Sequence, residues 1–209
     1  MMRVYLCNIQ DFLYLKGLNL VTDSRRKSIH AYLRDGDKAR CLVSGLLLRR
    51  ICGIIEDSQL IYGGNGKPYL KNSTMHFNIS HSDDYVVLAT SNREIGVDIE
   101  KITSFEDKVA FRCLTKQERE WMVHEGGNEA FFRLWTAKES VMKASGLGFS
   151  LPPETFSVLP MDESAHHIAG KTWFLDWILH DDYIICLAIE GKRQKYEVIT
   201  ITSSDLLRA

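Results

Sequence analysis

The sequence lacks an excess of charge of either sign. Its 26 Lys and Arg residues are balanced by 27 Asp and Glu residues, which gives a formal net charge of −1. A protein this close to neutrality has no broad electrostatic field to attract nucleic acid or an anionic membrane surface. We therefore expect no nucleic-acid partner and no membrane partner. Any anion site must be local and built from a few well-placed groups.

Cysteines and long apolar runs are also scarce. The five cysteines are scattered and form no C-x-x-C pair, so neither a disulfide framework nor a zinc site is expected. The richest apolar stretch, residues 42–55, is interrupted by Arg49 and Arg50, so no segment is expected to span a bilayer. The opening segment, MMRVYLCNIQDFLYL, does not resemble a signal peptide. These features lead us to expect a cytoplasmic protein.

What the sequence does have is the composition of an ordinary globular protein. Hydrophobic residues make up 45% and charged residues 25% of its 209 residues, which argues against disorder, collagen and coiled coil. A chain of this length can bury a sizeable core as one domain or as a compact pair of lobes.

The hydrophobic pattern predicts helices mixed with short strands. Helices are predicted at 23–33, 37–55, 115–125 and 128–145. A first strand is predicted at 2–7, and three more, at 75–82, 85–90 and 95–100, are predicted to pair as one antiparallel meander. The remaining strands are predicted at 156–159, 172–179, 183–189 and 196–202.

One internal similarity bears on the architecture. The stretch DDYVVLA at 83–89 is similar to DDYIICLA at 181–188, and each follows another predicted strand. Chance similarity between two hairpins is one explanation of such a match. The other explanation is two lobes of similar topology, each with helices before a small antiparallel sheet. A cleft between two such lobes is a natural ligand site.

Two carboxylates share one face of a predicted strand. Asp98 and Glu100 are two residues apart, so their side chains leave the same face, with Cα atoms about 6.6 Å apart. Oxygen ligands placed in this way suit Mg²⁺, which also binds substrate phosphate. The exposed polar face of an amphipathic strand has the same spacing, so the spacing alone does not decide between the two.

A third carboxylate lies on a predicted helix, in WTAKESVMKASG. Trp135, Glu139 and Lys143 are four residues apart and therefore share one helix face. A solvated Glu–Lys pair is the ordinary explanation, but the tryptophan on the same face indicates at least partial burial. A partly buried Glu beside a Lys could serve a metal and a phosphate together.

Candidate phosphate-binding groups are spread along the chain. The loop YGGNGKP at 62–68 offers backbone N–H groups and Lys67, without the spacing of a P-loop. Ser80, His81 and Ser82 give two hydroxyls and an imidazole at a strand end, although a lone His is more often structural. Further basic residues, for which solvation is the simpler explanation, lie on helix faces: Arg25, Arg26, Lys27 and Arg40.

Four motifs together resemble those of the 4′-phosphopantetheinyl transferases. In chain order they are GKP at 66–68, FNISHS at 77–82, GVDIE at 96–100 and WxxKESxxK at 135–143. They resemble the larger, two-lobed class of that family, the class of the surfactin synthetase activators, and not the single-lobe form that trimerises.

This resemblance implies an α+β fold with two similar lobes in a pseudo-twofold arrangement. Each lobe would be a small antiparallel sheet with packed helices, and the protein would be a monomer. Residues 1–101 are predicted to form the N-terminal lobe and residues 102–209 the C-terminal lobe. The active site is predicted in the cleft between them.

The resemblance also implies a reaction, that of a holo-carrier-protein synthase. The 4′-phosphopantetheine arm of coenzyme A would be transferred to a serine of an apo acyl or peptidyl carrier protein, with release of adenosine 3′,5′-bisphosphate. Mg²⁺ is the implied cofactor, with Mn²⁺ as a substitute, and coenzyme A is the co-substrate. The motifs do not specify fatty-acid, polyketide or nonribosomal peptide biosynthesis.

The same resemblance implies roles for individual residues. The metal ligands would be Asp98, Glu100 and Glu139, and the catalytic residues Asp98, Glu139 and Lys143. Glu139, directly or through a water, would be the base for the serine, and Lys143 would hold the pyrophosphate. The implied cofactor-binding residues are Arg40, Lys67, Pro68, Ser80, His81, Ser82, Asp98, Lys138 and Lys143. One of Arg25, Arg26 and Lys27 would join them, but the register is open because the turn at 34–37 is longer than in similar sequences.

Two rival functions stay open at this point. A non-catalytic module that binds coenzyme A or a carrier protein would not need the intact set of carboxylates and Lys143. A Mg²⁺-dependent phosphohydrolase with coincidental motifs would need a water-activating site, and the sequence shows no His/Asp cluster for one. Release of adenosine 3′,5′-bisphosphate only when carrier protein is present would distinguish all three.

Overall fold

The computed structural model describes residues 2–208, so Met1 and Ala209, the outer ends of the two predicted lobes, lie outside the described residues. The first half of the chain forms β1 (Met2–Asn8), α1 (Asp23–Ala31), α2 (Asp35–Cys52), β2 (Leu60–Tyr62), β3 (Pro68–Leu70), β4 (His76–Ser82), β5 (Tyr85–Ser91) and β6 (Ile95–Lys101). The second half forms α3 (Asp107–Cys113), α4 (Lys116–Glu125), α5 (Gly127–Ser145), β7 (His166–Ile168), β8 (Lys171–His180), β9 (Tyr183–Glu190), β10 (Tyr196–Thr200) and α6 (Ser203–Leu207). Between residues 2 and 208, no helix is both long enough and apolar enough to cross a membrane.

The strands form two four-stranded sheets and one short hairpin. The first sheet has the order β10-β1-β5-β4, the second has the order β6-β9-β8-β7, and β2 pairs with β3. All neighbours are antiparallel except β1 and β10, which are parallel. Helix α2 packs on the first sheet and helix α5 on the second. The predicted α+β fold, with small antiparallel sheets and packed helices, is confirmed.

Two helix ends follow residues that favour them. Helix α4 begins with a capping box, in which the Thr115 hydroxyl accepts the Glu118 N–H and the Glu118 carboxylate accepts the Thr115 N–H. Helix α5 ends at Gly146, whose φ of 70° lies in the left-handed region that favours glycine. The four predicted helices are confirmed to within a few residues at their ends, whereas α3 and α6 are not among the predictions.

The predicted meander is wrong in its last strand. Strands β4 and β5 pair as predicted, but β6 pairs antiparallel with β9, with Ile95 opposite Ile189 and Lys101 opposite Tyr183. The reason is that β1 already occupies the second edge of β5, which leaves no edge for β6 to join. Each sheet therefore takes one strand from across the predicted lobe boundary, β6 in the second and β10 in the first, and the boundary at 101/102 remains a prediction.

The predicted strand at 156–159 is absent, and the segment is irregular. A buried ion pair uses its backbone groups instead. The Lys138 ammonium donates to the carbonyl oxygen of Phe156 at 2.6 Å, and the Glu118 carboxylate accepts the Val158 N–H at 2.9 Å. Backbone groups satisfied by side chains in this way are not available for a sheet ladder.

A shared apolar core lies between the two sheets. Ile95, Val97 and Ile99 of β6 are fully buried in it, together with side chains of the first sheet such as Val4 and Val87. The two-residue period of a strand therefore holds along β6, with these three side chains on one face. The opposite face of β6 carries Gly96, Asp98 and Glu100 and is not part of this core.

Candidate active site

A cleft of about 340 Å³ lies where α1 and α2 meet β4, β6 and α5. Strands β4 and β6 contribute Ile79, Ser80, His81, Asp98 and Glu100. Helix α5 contributes Trp135, Glu139 and Lys143, and the first-lobe helices and the turn between them contribute Arg25, Tyr32, Asp37, Arg40, Cys41 and Ser44. The structure thus brings all three predicted metal ligands and Lys143 into one cleft with basic groups of the first lobe.

Strand β6 and helix α5 are in direct backbone contact at Gly96. A Cβ atom on Gly96 would lie 1.9 Å from the carbonyl oxygen of Ser140 and 2.6 Å from the amide nitrogen of Ala144. Because only glycine lacks a Cβ, no other residue permits this approach. The contact places the carboxylate face of β6 directly beside the helix face that carries Glu139.

Asp98 is buried, with 3% of its surface exposed, and lines the same cleft as Glu100 and Glu139. Its Oδ1 accepts hydrogen bonds from Lys143 Nζ at 2.6 Å and from Ser80 Oγ at 2.8 Å. Its Oδ2 is buried without a hydrogen-bond partner among residues 2–208. A buried carboxylate oxygen without a partner costs free energy that a bound cation would recover.

The helix spacing indicates Glu139 as the partner of Lys143. In the structure Lys143 pairs with Asp98 instead. Burial and repulsion from Asp98 raise the pKa of Glu100 to about 7, and the same two causes raise the pKa of Glu139. In both cases the Lys143 ammonium works in the opposite direction. Carboxylates that disfavour each other's ionisation are an arrangement that a divalent cation stabilises.

The donor set fits Mg²⁺ in its chemistry. It consists of carboxylate oxygens, which hard divalent cations prefer, and includes the buried Asp98 Oδ2 that lacks a partner. Among residues 2–208, no three His, Cys, Asp or Glu side chains are gathered closely enough to form a ready-made metal centre. In the metal-free arrangement the Lys143 ammonium supplies the positive charge beside Asp98.

We expect Glu100 to make a contribution to the stability of the metal-free protein that is lost as the pH rises from about 5 to about 8. Burial raises the pKa of Glu100 from 4.5 to about 7, so the folded state binds its proton more tightly than the unfolded state. This contribution to the free energy of unfolding is present at low pH and is lost as the pH rises through about 7. In a chelator across this range, the melting temperature of Glu100→Gln should fall less with rising pH than that of the parent. The exposed Glu125→Gln should behave as the parent does, and identical slopes in all three proteins would contradict the assignment.

The basic part of the cleft comes from the first lobe. Arg40 donates to the carbonyl oxygen of Asp83 at 2.6 Å and to Asp37 Oδ1 at 2.5 Å. Burial and the neighbouring Arg40 guanidinium lower the pKa of His81. Arg25 lies on the same side, with Nη1 3.9 Å from the Cys41 sulfur. This side is chemically suited to an anionic group.

Of the three basic residues whose register was open, the structure places Arg25 in the cleft. Arg26 instead pairs with Asp23 and donates to the carbonyl oxygen of Val21, and Lys27 does not line the cleft.

Lys67 and Pro68 line an adjoining groove and not the cleft itself. The Lys67 ammonium is buried and donates to Glu94 Oε2 at 2.6 Å and to the carbonyl oxygens of Ala144 at 2.8 Å and Ile95 at 3.3 Å. Lys67 thus fastens the start of β6 to the end of α5. Its contact with a cofactor stays a prediction, as does that of Pro68.

Lys138 and Ser82 are not part of the cleft lining. The Lys138 ammonium is fully buried behind α5 and donates to Glu118 Oε2 at 2.8 Å and to the carbonyl oxygens of Pro153 and Phe156. These contacts give Lys138 a structural role, and the cofactor contact that its motif implied stays a prediction. Ser82 lies behind Glu100 and donates to its Oε2 at 2.9 Å.

Sequence reasoning missed several residues that line the cleft. Tyr32, Asp37, Cys41 and Ser44 were not named, although Ser44 follows Arg40 by four residues and therefore shares its helix face. The role of Gly96 was missed as well. A glycine in the middle of a predicted strand was the signal for a close backbone approach.

Comparison with known proteins identifies relatives along most of the chain. Residues 94–188 match the family model described as the 4′-phosphopantetheinyl transferase superfamily. Residues 10–93 match the one described as 4′-phosphopantetheinyl transferase, N-terminal. The boundary between the two matches falls just before β6.

Individual relatives carry the same description. The chain is 35% identical over 144 residues to the 4′-phosphopantetheinyl transferase gsp of Aneurinibacillus migulanus. The aligned residues cover 65% of this chain and 60% of that protein. It is 30% identical over 150 residues to 4′-phosphopantetheinyl transferase Sfp of Bacillus subtilis (strain 168), 68% of this chain and 67% of that protein. It is 31% identical over 186 residues to the L-aminoadipate-semialdehyde dehydrogenase-phosphopantetheinyl transferase of Xenopus laevis, 75% of this chain and 60% of that protein. The chain thus spans about three fifths of two of these relatives and about two thirds of the third.

Proposed function

Because this chain belongs to the 4′-phosphopantetheinyl transferase superfamily and to that class of enzyme, we propose that it transfers the phosphopantetheine arm of coenzyme A to a serine of an apo acyl or peptidyl carrier protein, as a monomer. The observation that carries the proposal is the single cleft that holds Asp98, Glu139 and Lys143 together with Arg25 and Arg40. Carboxylates and fixed cations in one cleft are what the transfer of a phosphoryl group requires.

The basic side of the cleft suits the nucleotide end of coenzyme A. Arg25 and Arg40 would bind the 3′-phosphate, with Ser80 and His81 of β4 as additional donors. Arg40 is held in place by its bonds to Asp37 and the backbone at Asp83, so little side-chain freedom is lost when a phosphate binds.

The acidic side of the cleft is where the arm would be transferred. The carrier serine oxygen attacks the β-phosphorus of the pyrophosphate, the bond from that phosphorus to the bridging oxygen breaks, and adenosine 3′,5′-bisphosphate leaves with the bonding electrons. Glu139, directly or through a water, takes the serine proton, and its raised pKa suits a general base. Lys143 stabilises the negative charge that develops on the phosphate oxygens.

Asp98, Glu100 and Glu139 would hold Mg²⁺, or Mn²⁺ in its place, because all three present carboxylate oxygens. When bound, Mg²⁺ supplies positive charge for the pyrophosphate oxygens. Asp98 would remain the ligand that also orients Lys143, since its Oδ1 accepts the Lys143 ammonium while its Oδ2 is free of other hydrogen bonds.

A separate groove suits the carrier protein. It lies between α3 and α4, in the segment between the motifs at 96–100 and 135–143. Its apolar side chains include Phe111 and Val123, which are 68% and 77% exposed. Lys116 and Arg119 line the groove, as do the acidic Asp107 and Glu120. An acidic helical carrier would dock mainly through the apolar patch, and the few charged residues would mainly affect the association rate.

Intact-mass measurement tests the proposal. The protein is incubated with coenzyme A, Mg²⁺ and a panel of apo acyl and peptidyl carrier proteins, each paired with a carrier whose acceptor serine is replaced by alanine. A mass gain of one phosphopantetheine group on the parent carrier alone, together with release of adenosine 3′,5′-bisphosphate, is the expected result. No gain on any carrier, or nucleotide release without carrier, would contradict it.

We expect Lys143→Ala to slow transfer by on the order of a hundredfold, the usual cost of losing a charge-stabilising donor. The variant should also melt at a lower temperature than the parent when metal-free, because Asp98 is then left buried without its partner. Single-turnover rates and melting temperatures check both effects. Lys71→Ala removes an exposed lysine away from the cleft and should match the parent. A Lys143→Ala enzyme with parental rates would exclude the role given to Lys143.

A further inference from the structure

The edge strands of the two sheets meet beside the cleft without forming a common sheet. Strand β4 is the last strand of the first sheet and β6 is the first strand of the second, and no backbone ladder joins them within residues 2–208. The two strands nevertheless lie alongside each other. An edge strand has N–H groups that need partners, and here side chains of β4 provide them.

Two hydrogen bonds join the buried half of β4 to β6, one at a backbone N–H and one at a side chain. Asn78 Oδ1 accepts the Val97 N–H at 2.8 Å, and Ser80 Oγ donates to Asp98 Oδ1 at 2.8 Å. Asn78 and Ser80 are each only 7% exposed, so the links are shielded from water. They fix how far β6 can slide along β4.

The third link comes from Ser82, two residues further along the same face of β4. Its hydroxyl donates to Glu100 Oε2 at 2.9 Å and accepts the Lys101 N–H at 3.2 Å. One hydroxyl thus holds both the side chain and the backbone of this part of β6. A Glu side chain has several rotatable bonds, and this link removes much of that freedom before any ligand binds.

Neither Ser82 nor Asn78 lines the cleft. We propose that they are positioning residues: Ser82 orients the Glu100 carboxylate, Asn78 fixes the register of β6, and together they set the affinity of the Asp98–Glu100–Glu139 group for a divalent cation. The inference rests on the proposed function and names residues that act through the ligands. Outer partners of metal ligands typically change metal affinity by about 10- to 100-fold when they are removed.

Binding of Mn²⁺ to the protein without coenzyme A or carrier tests the inference. Free Mn²⁺ is measured by electron paramagnetic resonance during titration, with circular dichroism and melting temperature as checks of folding. Ser82→Ala is expected to bind Mn²⁺ about tenfold more weakly than the parent. Ser82→Thr keeps the hydroxyl and should restore most of the affinity.

The matched control is Ser91→Ala. Ser91 is also a buried strand serine whose hydroxyl accepts a backbone N–H, that of Arg93, but it lies outside the cleft. It should bind Mn²⁺ as the parent does. Asn78→Ala leaves the Val97 N–H buried without an acceptor, so it should lower both the melting temperature and the Mn²⁺ affinity. If Asn78→Ala does not fold, the Ser82 pair decides.

The outcomes separate this inference from the proposed function. Parental Mn²⁺ affinity in Ser82→Ala, with or without a change in melting temperature, overturns the positioning role. If Asp98→Ala loses Mn²⁺ binding while Ser82→Ala keeps it, the proposed function stands and only the present inference fails. If the parent binds no Mn²⁺ and transfers no phosphopantetheine, both fail.

Discussion

Asp98→Ala should reduce transfer by a factor on the order of a thousand or more and leave the chain folded. The change removes the buried carboxylate that orients Lys143 and Ser80, and with it the Oδ2 atom, which lacks a hydrogen-bond partner among residues 2–208. It also removes the charge that raises the pKa values of Glu100 and Glu139. Less repulsion in the metal-free protein should leave its melting temperature equal to or above that of the parent.

The strength of this test lies in its matched variants. Asp98→Asn keeps the shape and one accepting oxygen but loses the charge and the second accepting oxygen, so it should be nearly as slow as the alanine variant. Asp176 is another strand aspartate, 6% exposed and with a partnerless Oδ2, but it pairs with Arg193 away from the cleft. Asp176→Asn should keep most of the activity. An Asp98→Asn enzyme as fast as the parent, or full activity in excess chelator, would remove the metal ligands from the mechanism.

The second large effect is expected at Gly96, where no charge is involved. Gly96→Ala places a Cβ atom 1.9 Å from the Ser140 carbonyl oxygen and 2.6 Å from the Ala144 nitrogen, and neither backbone atom can turn aside. Helix α5 must then move away from β6, at a cost to the free energy of unfolding of about 3 kcal/mol or more. The displacement of Glu139 and Lys143 from Asp98 also costs activity, and a misplacement of about 1 Å is enough for a loss of about a hundredfold.

Urea unfolding and transfer rates check the two parts of this prediction separately. Rates are measured well below the melting temperature of the variant, so that lost activity reports geometry and not unfolding. Gly64→Ala is the control, because a Cβ there meets nothing within 4 Å. A Gly96→Ala protein with parental stability and parental activity would show that β6 and α5 are not in the contact described above.

Features that depend on neighbours in sequence could be predicted. The shared face of Asp98 and Glu100 follows from the two-residue period of a strand, and the shared face of Trp135, Glu139 and Lys143 follows from the helical period. All five line the cleft. The same periods also predicted which face of β6 is buried, and Ile95, Val97 and Ile99 lie in the core.

Features that depend on distant parts of the chain could not be predicted in the same way. Strand β6 fails to join β5 because β1, almost a hundred residues earlier, already pairs there, with Arg3 opposite Thr90. Lys138 stands next to Glu139 in the motif, yet its partner Glu118 comes from another helix and takes its ammonium out of the cleft. Lys143 likewise pairs with Asp98 and not with the Glu139 one turn before it. In each case the local sequence pattern indicates one partner, whereas a residue or strand distant in sequence makes the contact.

The exchange of strands between the sheets has a consequence for how the molecule unfolds. Strand β6 leaves the first half of the chain for the second sheet, and β10 returns from the second half to pair with β1. Neither sheet can be completed until both halves of the chain are present, so we expect neither half to fold on its own. The pairing of β1 with β10 brings together residues near opposite ends of the described chain, and contacts so distant in sequence favour slow folding. We therefore expect both walls of the cleft to fold and unfold together.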